Sequence, residues 1–502
     1  MYELIIKNGK IIDGTGSPSY LGDIAIKDGK ISAVGKALKD AEKVIDATGL
    51  TVTPGFIDSH SHSDSALFTY PDLIEKIEQG ITTSIAGQCG TSPAPVPESD
   101  NQNCIPMGAF LDFVKNEKFG SNTMCLVGHG TLRKAVMGSE RRKPTAEELC
   151  KMKELLRDGM EHGALGISFG LIYAPGDSAE TDELIEIAKV AGEYHGIVAA
   201  HIRSESKELV KAVEEFIKIV KESGARGVLS HHKACGNKEN WGKVSHTLRM
   251  IDKANEEGVE IYCDVYPYTA THTTLSATVV PEIGSFDDLM RRLRDPEERA
   301  KLKVWGKKRF GEDFSWVQIA TCKAYPEYEG LRVTEIARMR GTDEFDAMYD
   351  MIADSENVCS ACYFTICEED VETVMSHPRA MICTDAGVAK DKKVFHPRTK
   401  GTFPRTLGRY VRERKVTTLH EMIRKMTSMP AAVYGLKNKG LIWEGMDADI
   451  CIFDAGKIID KSDFTDCNQR AEGLNYVILN GKVVVENAVY NGKRAGNIIL
   501  KI

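Results

Sequence analysis

The chain has 502 residues, and its 65 basic side chains against 73 acidic ones give a formal net charge of −8. This mild, evenly spread charge lacks the basic stripe of a nucleic-acid-binding surface, so we expect a small-molecule partner and no nucleic acid. No apolar run approaches the ~20 residues of a membrane span, and the first residues lack the long apolar segment of a secretory signal. We therefore predict a cytoplasmic protein without a membrane partner, and homo-oligomerisation is left open.

Both ends of the chain alternate apolar and polar residues as antiparallel strands do. Turns are indicated there by dipeptides that supply the positive φ angles of tight hairpins: Asn8-Gly9, Asp28-Gly29, Asn480-Gly481 and Asn491-Gly492. Because the same pattern occurs at both termini, we predict that residues 1–53 and 436–502 together form one small β-sandwich domain. The catalytic part, residues 54–435, is then inserted between its two halves.

Between those ends, apolar strand-like runs alternate with helical segments, a rhythm typical of a parallel sheet. A capping box at Thr145-Ala-Glu-Glu148 opens one helix, and an acidic first turn after Thr181 opens another. Eight strands are predicted, ending near His62, Cys89, Gly128 to Gly130, Tyr173, His201, His231, Tyr266 and Asp385. Eight such units predict an α/β fold, an interrupted TIM-like (β/α)8 barrel.

The spacing of these units is regular until the seventh strand. Tyr268 and Ala380 are then separated by about 110 residues, far more than one βα connection needs. This stretch contains basic helical segments, including one from Asp287 to Lys308. We predict that residues 275–375 form an insertion or lid beside the mouth of the barrel.

Thirteen cysteines without an export signal are typical of reduced thiols, because disulfides rarely persist in a reducing compartment. Cys359, Cys362 and Cys367 have the spacing of part of a structural zinc or cluster site. No fourth ligand with suitable spacing follows, so we predict that most of the cysteines are small buried apolar groups.

Five His or Cys residues at strand ends are candidate metal ligands, because a barrel lays the carboxyl ends of its strands around one mouth. His60 and His62 are two residues apart, so both face the same way on an extended chain. Cys89, His201 and His231 each follow an apolar run, and thiolate with imidazole suits zinc better than magnesium or calcium. These last three ligands leave a fourth position open for water.

Other polar groups at the strand ends have further candidate roles. Asp385, at the end of the eighth strand, is placed to take a proton from an activated water and deliver it to a leaving nitrogen. It can also be a helix N-cap, and the two roles are compatible. His232 should face away from His231 and is predicted to be structural, whereas His129 and His396 are either mouth groups or hydrogen-bonded packing residues.

These residues lie in motifs that resemble the amidohydrolase superfamily, in particular the N-acyl-D-amino-acid deacylases. The matching segments include Gly55-Phe-Ile-Asp-Ser-His-Ser-His-Ser-Asp64, Gly87-Gln-Cys-Gly-Thr-Ser92, His201-Ile-Arg-Ser-Glu205, Ser230-His-His-Lys233, Asp264-Val-Tyr-Pro-Tyr268, His396-Pro-Arg398 and Gly401-Thr-Phe-Pro-Arg405. The resemblance covers nearly the whole chain. It implies a zinc-dependent hydrolase with an interrupted barrel and a β-sandwich built from both termini.

Carried over motif by motif, the resemblance places a tight zinc site at Cys89, His201 and His231 and a second, weaker metal position at His60 and His62. Asp385 falls on the catalytic carboxylate. Dihydroorotases and hydantoinases of the same superfamily usually bridge two metals with a carboxylated lysine at the end of the fourth strand. That strand contains no lysine here, so Cys89 is expected to be the substitute.

The resemblance implies hydrolysis of an N-acyl-D-amino acid to a carboxylate and a free D-amino acid. The α-carboxylate beside the scissile amide suits a planar arginine or a lysine point charge. Candidates in matching motifs are Lys233, Tyr173, Tyr266 and Arg398, although Lys233 and Arg398 could serve only in salt bridges. The alternatives are a hydrolase of a cyclic amide or of a D-amino-acid-containing dipeptide, and a catalytically silent scaffold that kept the fold.

Overall fold

The computed structural model describes residues 1–97, 104–283, 285–390, 392 and 394–501. In chain order its strands are β1 Tyr2–Ile11, β2 Tyr20–Lys27, β3 Lys30–Gly35, β4 Ala41–Asp46, β5 Thr51–Pro54, β6 Phe56–Asp58, β7 Ile81–Ala86, β8 Val96–Pro97, β9 Cys104–Ile105, β10 Asn122–Cys125, β11 Val127–Gly128, β12 Gly166–Gly170, β13 Ile197–His201, β14 Arg226–Leu229, β15 Ile261–Val265, β16 Thr271–Thr274, β17 Val317–Cys322, β18 Cys359–Tyr363, β19 Ala380–Ile382, β20 Ile450–Phe453, β21 Leu474–Leu479, β22 Lys482–Glu486 and β23 Val489–Tyr490.

The helices are α1 Ile74–Ile77, α2 Met107–Val114, α3 His129–Met137, α4 Ala146–Glu161, α5 Thr181–Glu193, α6 Leu209–Ser223, α7 Lys243–Glu256, α8 Leu275–Val279, α9 Phe286–Arg294, α10 Pro296–Phe310, α11 Val333–Arg340, α12 Glu344–Asp354, α13 Glu368–Ser376, α14 Arg398–Arg405, α15 Leu419–Met426 and α16 Ser428–Tyr434. A π-helical segment, Thr406–Glu413, continues α14. The predicted capping box at Thr145 is present and opens α4. In the described ranges, no helix is long and apolar enough to cross a membrane.

Strands from the two ends of the chain form a single sheet. Among the described residues its order is β23-β22-β21-β20-β5-β1-β2-β3, with β4 paired to β1. The two ends meet where β5 pairs antiparallel with β20. The strands of this sheet contribute most of a separate apolar cluster, which includes Ile6, Ile24, Val52, Ile450 and Ile478.

The predicted turns of this sheet are only partly correct. Asp28-Gly29 joins β2 to β3, and Asn480-Gly481 joins β21 to β22, as two-residue hairpins do. Asn8-Gly9 was predicted to be a hairpin turn, but it lies inside β1 at a register shift, so the positive φ of Asn8 serves a bulge. The amide of Asn8 donates to Asp23 Oδ1 at 2.9 Å instead of continuing the ladder.

Eight parallel strand positions of the described chain follow one another in a ring. β6, β7 and β10 pair in one sheet, and β11, β12, β13, β14, β15 and β19 pair in another. β10 and β11 are the two halves of one strand, since β10 pairs with β7 and β11 with β12. Hydrogen bonds from Ser59 N to Ile382 O (3.4 Å) and from Asp385 N to His60 O (2.9 Å) join the first strand to the last. The strand order is that of the predicted interrupted (β/α)8 barrel.

The ring is packed with apolar side chains below its carboxyl end. Ile57, Ile85, Ile197, Val228 and Met381 come from different strands and belong to one buried cluster with residues of α16. Because apolar side chains fill this interior, the polar side chains at the strand ends remain at the mouth of the barrel.

The segment between β15 and β19 has its own sheet and its own core. β16, β18 and β17 form a three-stranded sheet in which both strand pairs are antiparallel. A separate apolar cluster extends from Leu275 to Tyr363. Cys359 and Cys362 lie three residues apart in β18, where successive side chains alternate between faces, so they point to opposite sides of this sheet.

Candidate metal centre

The predicted ligands meet at the carboxyl end of the barrel strands, around Cys89. Its Sγ lies 3.3 Å from His60 Nε2, 3.4 Å from His231 Nε2 and 3.8 Å from His201 Nδ1. All four side chains are buried. A single thiol is therefore in reach of three imidazole nitrogens that come from three different strands.

His62 and Asp385 complete a second group beside the first. His62 Nε2 lies 3.2 Å and His60 Nε2 3.4 Å from Asp385 Oδ1. Metal-ligating atoms thus form two groups of mutual neighbours: Cys89, His201 and His231, and His60, His62, Cys89 and Asp385. From the sequence, Cys89 is predicted to belong to the first group only, whereas in the structure it is a member of both.

The spacing of these atoms fits zinc. With Zn–S of about 2.3 Å and Zn–N of about 2.0–2.1 Å, the sulfur-to-nitrogen edge of a coordination tetrahedron is about 3.5 Å. The distances from Cys89 Sγ to the three imidazole nitrogens, 3.3, 3.4 and 3.8 Å, lie close to this value. The donor set and these distances are compatible with a zinc centre.

Backbone strain is concentrated at these strand ends. Cys89, His231 and Asp385 have positive φ angles of 52°, 37° and 48°, a region that costs a side-chain-bearing residue about 1–3 kcal/mol. Gly87 is also at positive φ, and a Cβ there would lie 2.2 Å from Leu126 O. The chain is bent at these positions, and the bends aim the side chains into the mouth.

Burial keeps two of these imidazoles, those of His60 and His201, neutral. It lowers the pKa of His201 to about 3 and holds the pKa of His60 well below its usual value. A neutral imidazole has a free lone pair for a metal. Burial, with the nearby carboxylates, raises the pKa of the Cys89 thiol well above its ordinary value. A cation bound beside it is therefore needed to make it a thiolate at neutral pH.

Glu205 contacts the imidazoles of His231 and His201, and no role was predicted for it from the sequence. Its Oε1 lies 2.9 Å from His231 Nδ1 and 2.6 Å from Lys233 Nζ. If His231 Nδ1–H donates to this carboxylate, Nε2 has no proton and can bind a metal. Glu205 Oε2 lies 3.6 Å from His201 Nε2. The signal in the sequence was an acidic residue four positions after a strand-end histidine, which by itself is common.

Comparison with known proteins agrees with this geometry. The profile of the Amidohydrolase family matches residues 43–314 and 368–485. The D-aminoacylase of Alcaligenes xylosoxydans xylosoxydans is 32% identical over 514 aligned positions, which cover 100% of this chain and 98% of that protein. The chain belongs to the amidohydrolase family.

Solved structures of relatives share the whole fold of this amidohydrolase. The N-acyl-D-glutamate deacylase of Bordetella bronchiseptica, in complex with zinc and a phosphonate inhibitor, has a TM-score of 0.86 and 33% identity, with 99% of each chain covered. A D-aminoacylase structure that addresses the role of a binuclear metal centre has a TM-score of 0.86 and 33% identity, with 100% of both chains covered. The predicted fold class is thereby confirmed.

In this amidohydrolase, Asp385 is held by ionic contacts on one side and by a buried network on the other. Arg398 donates from Nη1 to Asp385 Oδ2 at 2.5 Å. The neighbouring Thr384 donates its amide to Asp58 Oδ1 at 2.8 Å. Lys76 is fully buried and donates to Asp58 Oδ2 at 3.0 Å and to Thr384 Oγ1 at 2.7 Å. No role was predicted for Asp58 and Lys76 from the sequence, because Thr384, the partner that they share, lies more than three hundred residues away.

The four residues predicted to bind substrate surround the same mouth. Tyr266 lies between two cations, with Lys233 Nζ 5.5 Å and the Arg398 guanidinium carbon 5.0 Å from its ring centroid. Its buried hydroxyl has no hydrogen-bond partner among the described residues. Tyr173 packs edge-on against His201, with ring centroids 5.2 Å apart, and its hydroxyl lies 3.4 Å from Thr273 Oγ1.

Three other histidines have hydrogen-bonding partners outside this cluster. His232 Nε2 lies 2.8 Å from Thr247 Oγ1, and His129 Nε2 lies 2.9 Å from Glu183 Oε1. His396 Nε2 lies 2.9 Å from a main-chain carbonyl oxygen. These contacts favour the packing interpretation of His129 and His396 and match the structural role predicted for His232.

Proposed function

We propose that this amidohydrolase hydrolyses N-acyl-D-amino acids to a carboxylate and a free D-amino acid. The observation that carries the proposal is the position of Cys89 Sγ, 3.3–3.8 Å from three imidazole nitrogens, in a centre that Asp385 borders. Full-length relatives named D-aminoacylase and N-acyl-D-glutamate deacylase support the substrate class.

Zinc is the proposed metal. Cys89, His201 and His231 would hold it tightly, and His60 and His62, with Asp385 and the shared Cys89, would form the weaker second position. When bound there, zinc supplies the Lewis acidity that polarises an amide carbonyl and makes water acidic near neutral pH.

Asp385 is the proposed proton carrier. Burial alone would raise its pKa, but the Arg398 guanidinium and the surrounding imidazoles hold the pKa of this carboxyl well below its usual range. Asp385 is therefore ionised at neutral pH and ready to accept a proton from the attacking water. It then donates this proton to the leaving nitrogen. A substrate carboxylate that shares Arg398 would weaken the ion pair and make Asp385 a stronger base.

The substrate α-carboxylate is proposed to bind at Tyr266, between Lys233 and Arg398. The unpartnered, buried hydroxyl of Tyr266 is a donor without an acceptor, and an unsatisfied buried group of this kind costs about 1–3 kcal/mol. A carboxylate placed there accepts from the hydroxyl and meets both cations. Tyr173, which packs on His201, is proposed to contact the acyl side of the same substrate.

We further propose three structural units: a β domain from residues 1–53 and 436–502, a catalytic barrel from residues 54–435, and an insertion from residues 275–375. The separate apolar clusters at the terminal sheet and between Leu275 and Tyr363 support this division.

The test is amine release by zinc-reconstituted protein from matched N-acetyl-D- and N-acetyl-L-amino acids with apolar, acidic and basic side chains. Turnover confined to D-isomers is expected. Asp385→Asn should retain zinc and lose most of the turnover, since it keeps the shape of the side chain without its basicity. If the zinc-loaded protein hydrolyses only a cyclic amide or a D-amino-acid-containing dipeptide, the proposed substrate is wrong.

A further inference from the structure

A pair of buried cysteines in the described residues lies away from the metal centre and has no part in the proposed reaction. Cys322 ends β17 and Cys359 begins β18, and the two are direct partners across this antiparallel strand pair. Their side chains are buried, with 1% and 3% of the residue surface exposed. They are therefore neighbours in space, although 36 residues separate them in the chain.

The hydrogen bonds around these two residues show which type of antiparallel pair they form. Lys323 N donates to Val358 O at 3.1 Å, whereas Cys322 N donates outside the strand pair, to Glu329 Oε1 at 3.0 Å. Cys322 and Cys359 thus occupy a non-hydrogen-bonded position, where opposite Cα atoms are about 4.5 Å apart and side chains are closest. Disulfides span Cα separations of about 4.4–6.8 Å, so a bond could form here without moving the backbone.

The two thiols already interact. A hydrogen bond from Cys359 is the main cause that lowers the pKa of Cys322 to about 6, and the same contact raises the pKa of Cys359. Cys322 Sγ also lies 3.3 Å from Ser355 Oγ. A thiolate with a second thiol beside it is the arrangement in which oxidation proceeds to a disulfide.

The residues next to the pair in the chain are exposed to solvent. Cys322 is followed by the exposed Lys323, and Cys359 is preceded by Val358, which is 55% exposed. The pair therefore lies at the end of the two strands, one residue from solvent. The spacing Cys359-x-x-Cys362 is not the relevant pair, because Cys362 faces the other side of β18.

We propose that Cys322 and Cys359 form a redox-active dithiol that a hydroperoxide converts to a disulfide. The Cys322 thiolate attacks a peroxide oxygen, the O–O bond breaks, and a sulfenic acid and the reduced oxygen species, water from hydrogen peroxide, are formed. The Cys359 thiol then attacks the sulfenic sulfur, the S–S bond forms, and a second water leaves. The two cysteines lose two electrons, which the peroxide accepts, and a dithiol such as dithiothreitol reverses the change.

The experiment uses the zinc-reconstituted full chain, treated with hydrogen peroxide, alkylated in denaturant and digested for mass spectrometry. We expect a linked peptide pair containing Cys322 and Cys359, lighter than the reduced peptides by two hydrogen atoms and lost after dithiothreitol. The linked pair should account for the loss of two of the thirteen titratable thiols, in addition to any loss at the exposed Cys150.

The controls separate this pair from the other cysteines. Cys362→Ser, on the opposite face of the same strand, should keep the linked peptide, whereas Cys322→Ser and Cys359→Ser should each abolish it. If a variant does not fold, the peptide map of the unaltered protein decides alone. Alkylation of both Cys322 and Cys359 after peroxide, under conditions that oxidise the exposed Cys150, would overturn the proposal.

Discussion

The buried ion pair between Lys76 and Asp58 offers a direct test of how the catalytic end of the barrel is held together. Both side chains are fully buried, and Lys76 Nζ donates to Asp58 Oδ2 (3.0 Å), Thr384 Oγ1 (2.7 Å) and Ala386 O (2.8 Å). In Lys76→Met, most of the length of the side chain is kept, but the Asp58 carboxylate remains buried without its counter-ion. Removing one partner of a buried pair costs about 3–5 kcal/mol.

The expected effect is large for a single substitution. With an unfolding entropy of about 2.1 cal/mol/K per residue, 1 kcal/mol shifts the melting temperature of a 502-residue chain by about 1 °C, so Lys76→Met should lower it by about 3–5 °C. Scanning calorimetry at a matched scan rate measures this shift, because unfolding of a large chain can be irreversible. Bound zinc should also fall, since Thr384 precedes Asp385 and Asp58 lies two residues before His60.

A second variant and a control make this prediction refutable. Asp58→Asn/Lys76→Met removes both charges and should recover at least about 2 kcal/mol of the loss, because the remaining groups are neutral. Lys115→Met breaks an exposed pair with Asp112 and should change stability by less than about 1 kcal/mol. A melting temperature of Lys76→Met no lower than that of Lys115→Met, or a double variant with purely additive losses, would contradict the reasoning.

Four further predictions concern the metal centre and the substrate site. Glu205→Gln removes the charge that orients His231 and should weaken zinc binding by about 10–100-fold, as measured by chelator competition. Unchanged zinc affinity in this variant would contradict the prediction. Arg398→Lys replaces a planar fork by a point charge and should lower kcat/KM by about tenfold or more, mostly through KM. Gly87→Ala places a Cβ 2.2 Å from a carbonyl oxygen at positive φ and should yield protein with little zinc, which metal analysis would detect. Chelation of the unaltered protein should abolish amine release, and added zinc should restore it; full activity after chelation would exclude a metal-dependent reaction.

Much of the fold was predictable because local patterns report on it. The alternation of strand-like runs with capped helices predicts the barrel order, and the hairpins at Asp28-Gly29 and Asn480-Gly481 are as expected. Asn8-Gly9 was misassigned because the same positive φ serves a hairpin and a bulge. Only the pairing of β1 with β2, which is a contact between strands, distinguishes these two cases.

The candidate site was likewise only partly predictable from the sequence. His60, His62, Cys89, His201 and His231 could be chosen from the sequence because each follows an apolar run at a strand end, where a barrel exposes its side chains. The sequence by itself therefore determined which residues reach the mouth. It did not determine that Cys89 borders both groups of ligands, since that depends on distances between strands.

Only the tertiary structure decided which groups support those residues. Glu205 contacts His231, Lys76 hydrogen-bonds to the strand end that carries Asp385, and Cys322 is paired with Cys359. In each case the two partners are distant in the sequence. The physical reason is that periodicity reports the environment of one residue, apolar or polar, inward or outward. Hydrogen bonds and ion pairs depend on the separation of two atoms to within a few tenths of an ångström, and closure of the ring sets that separation.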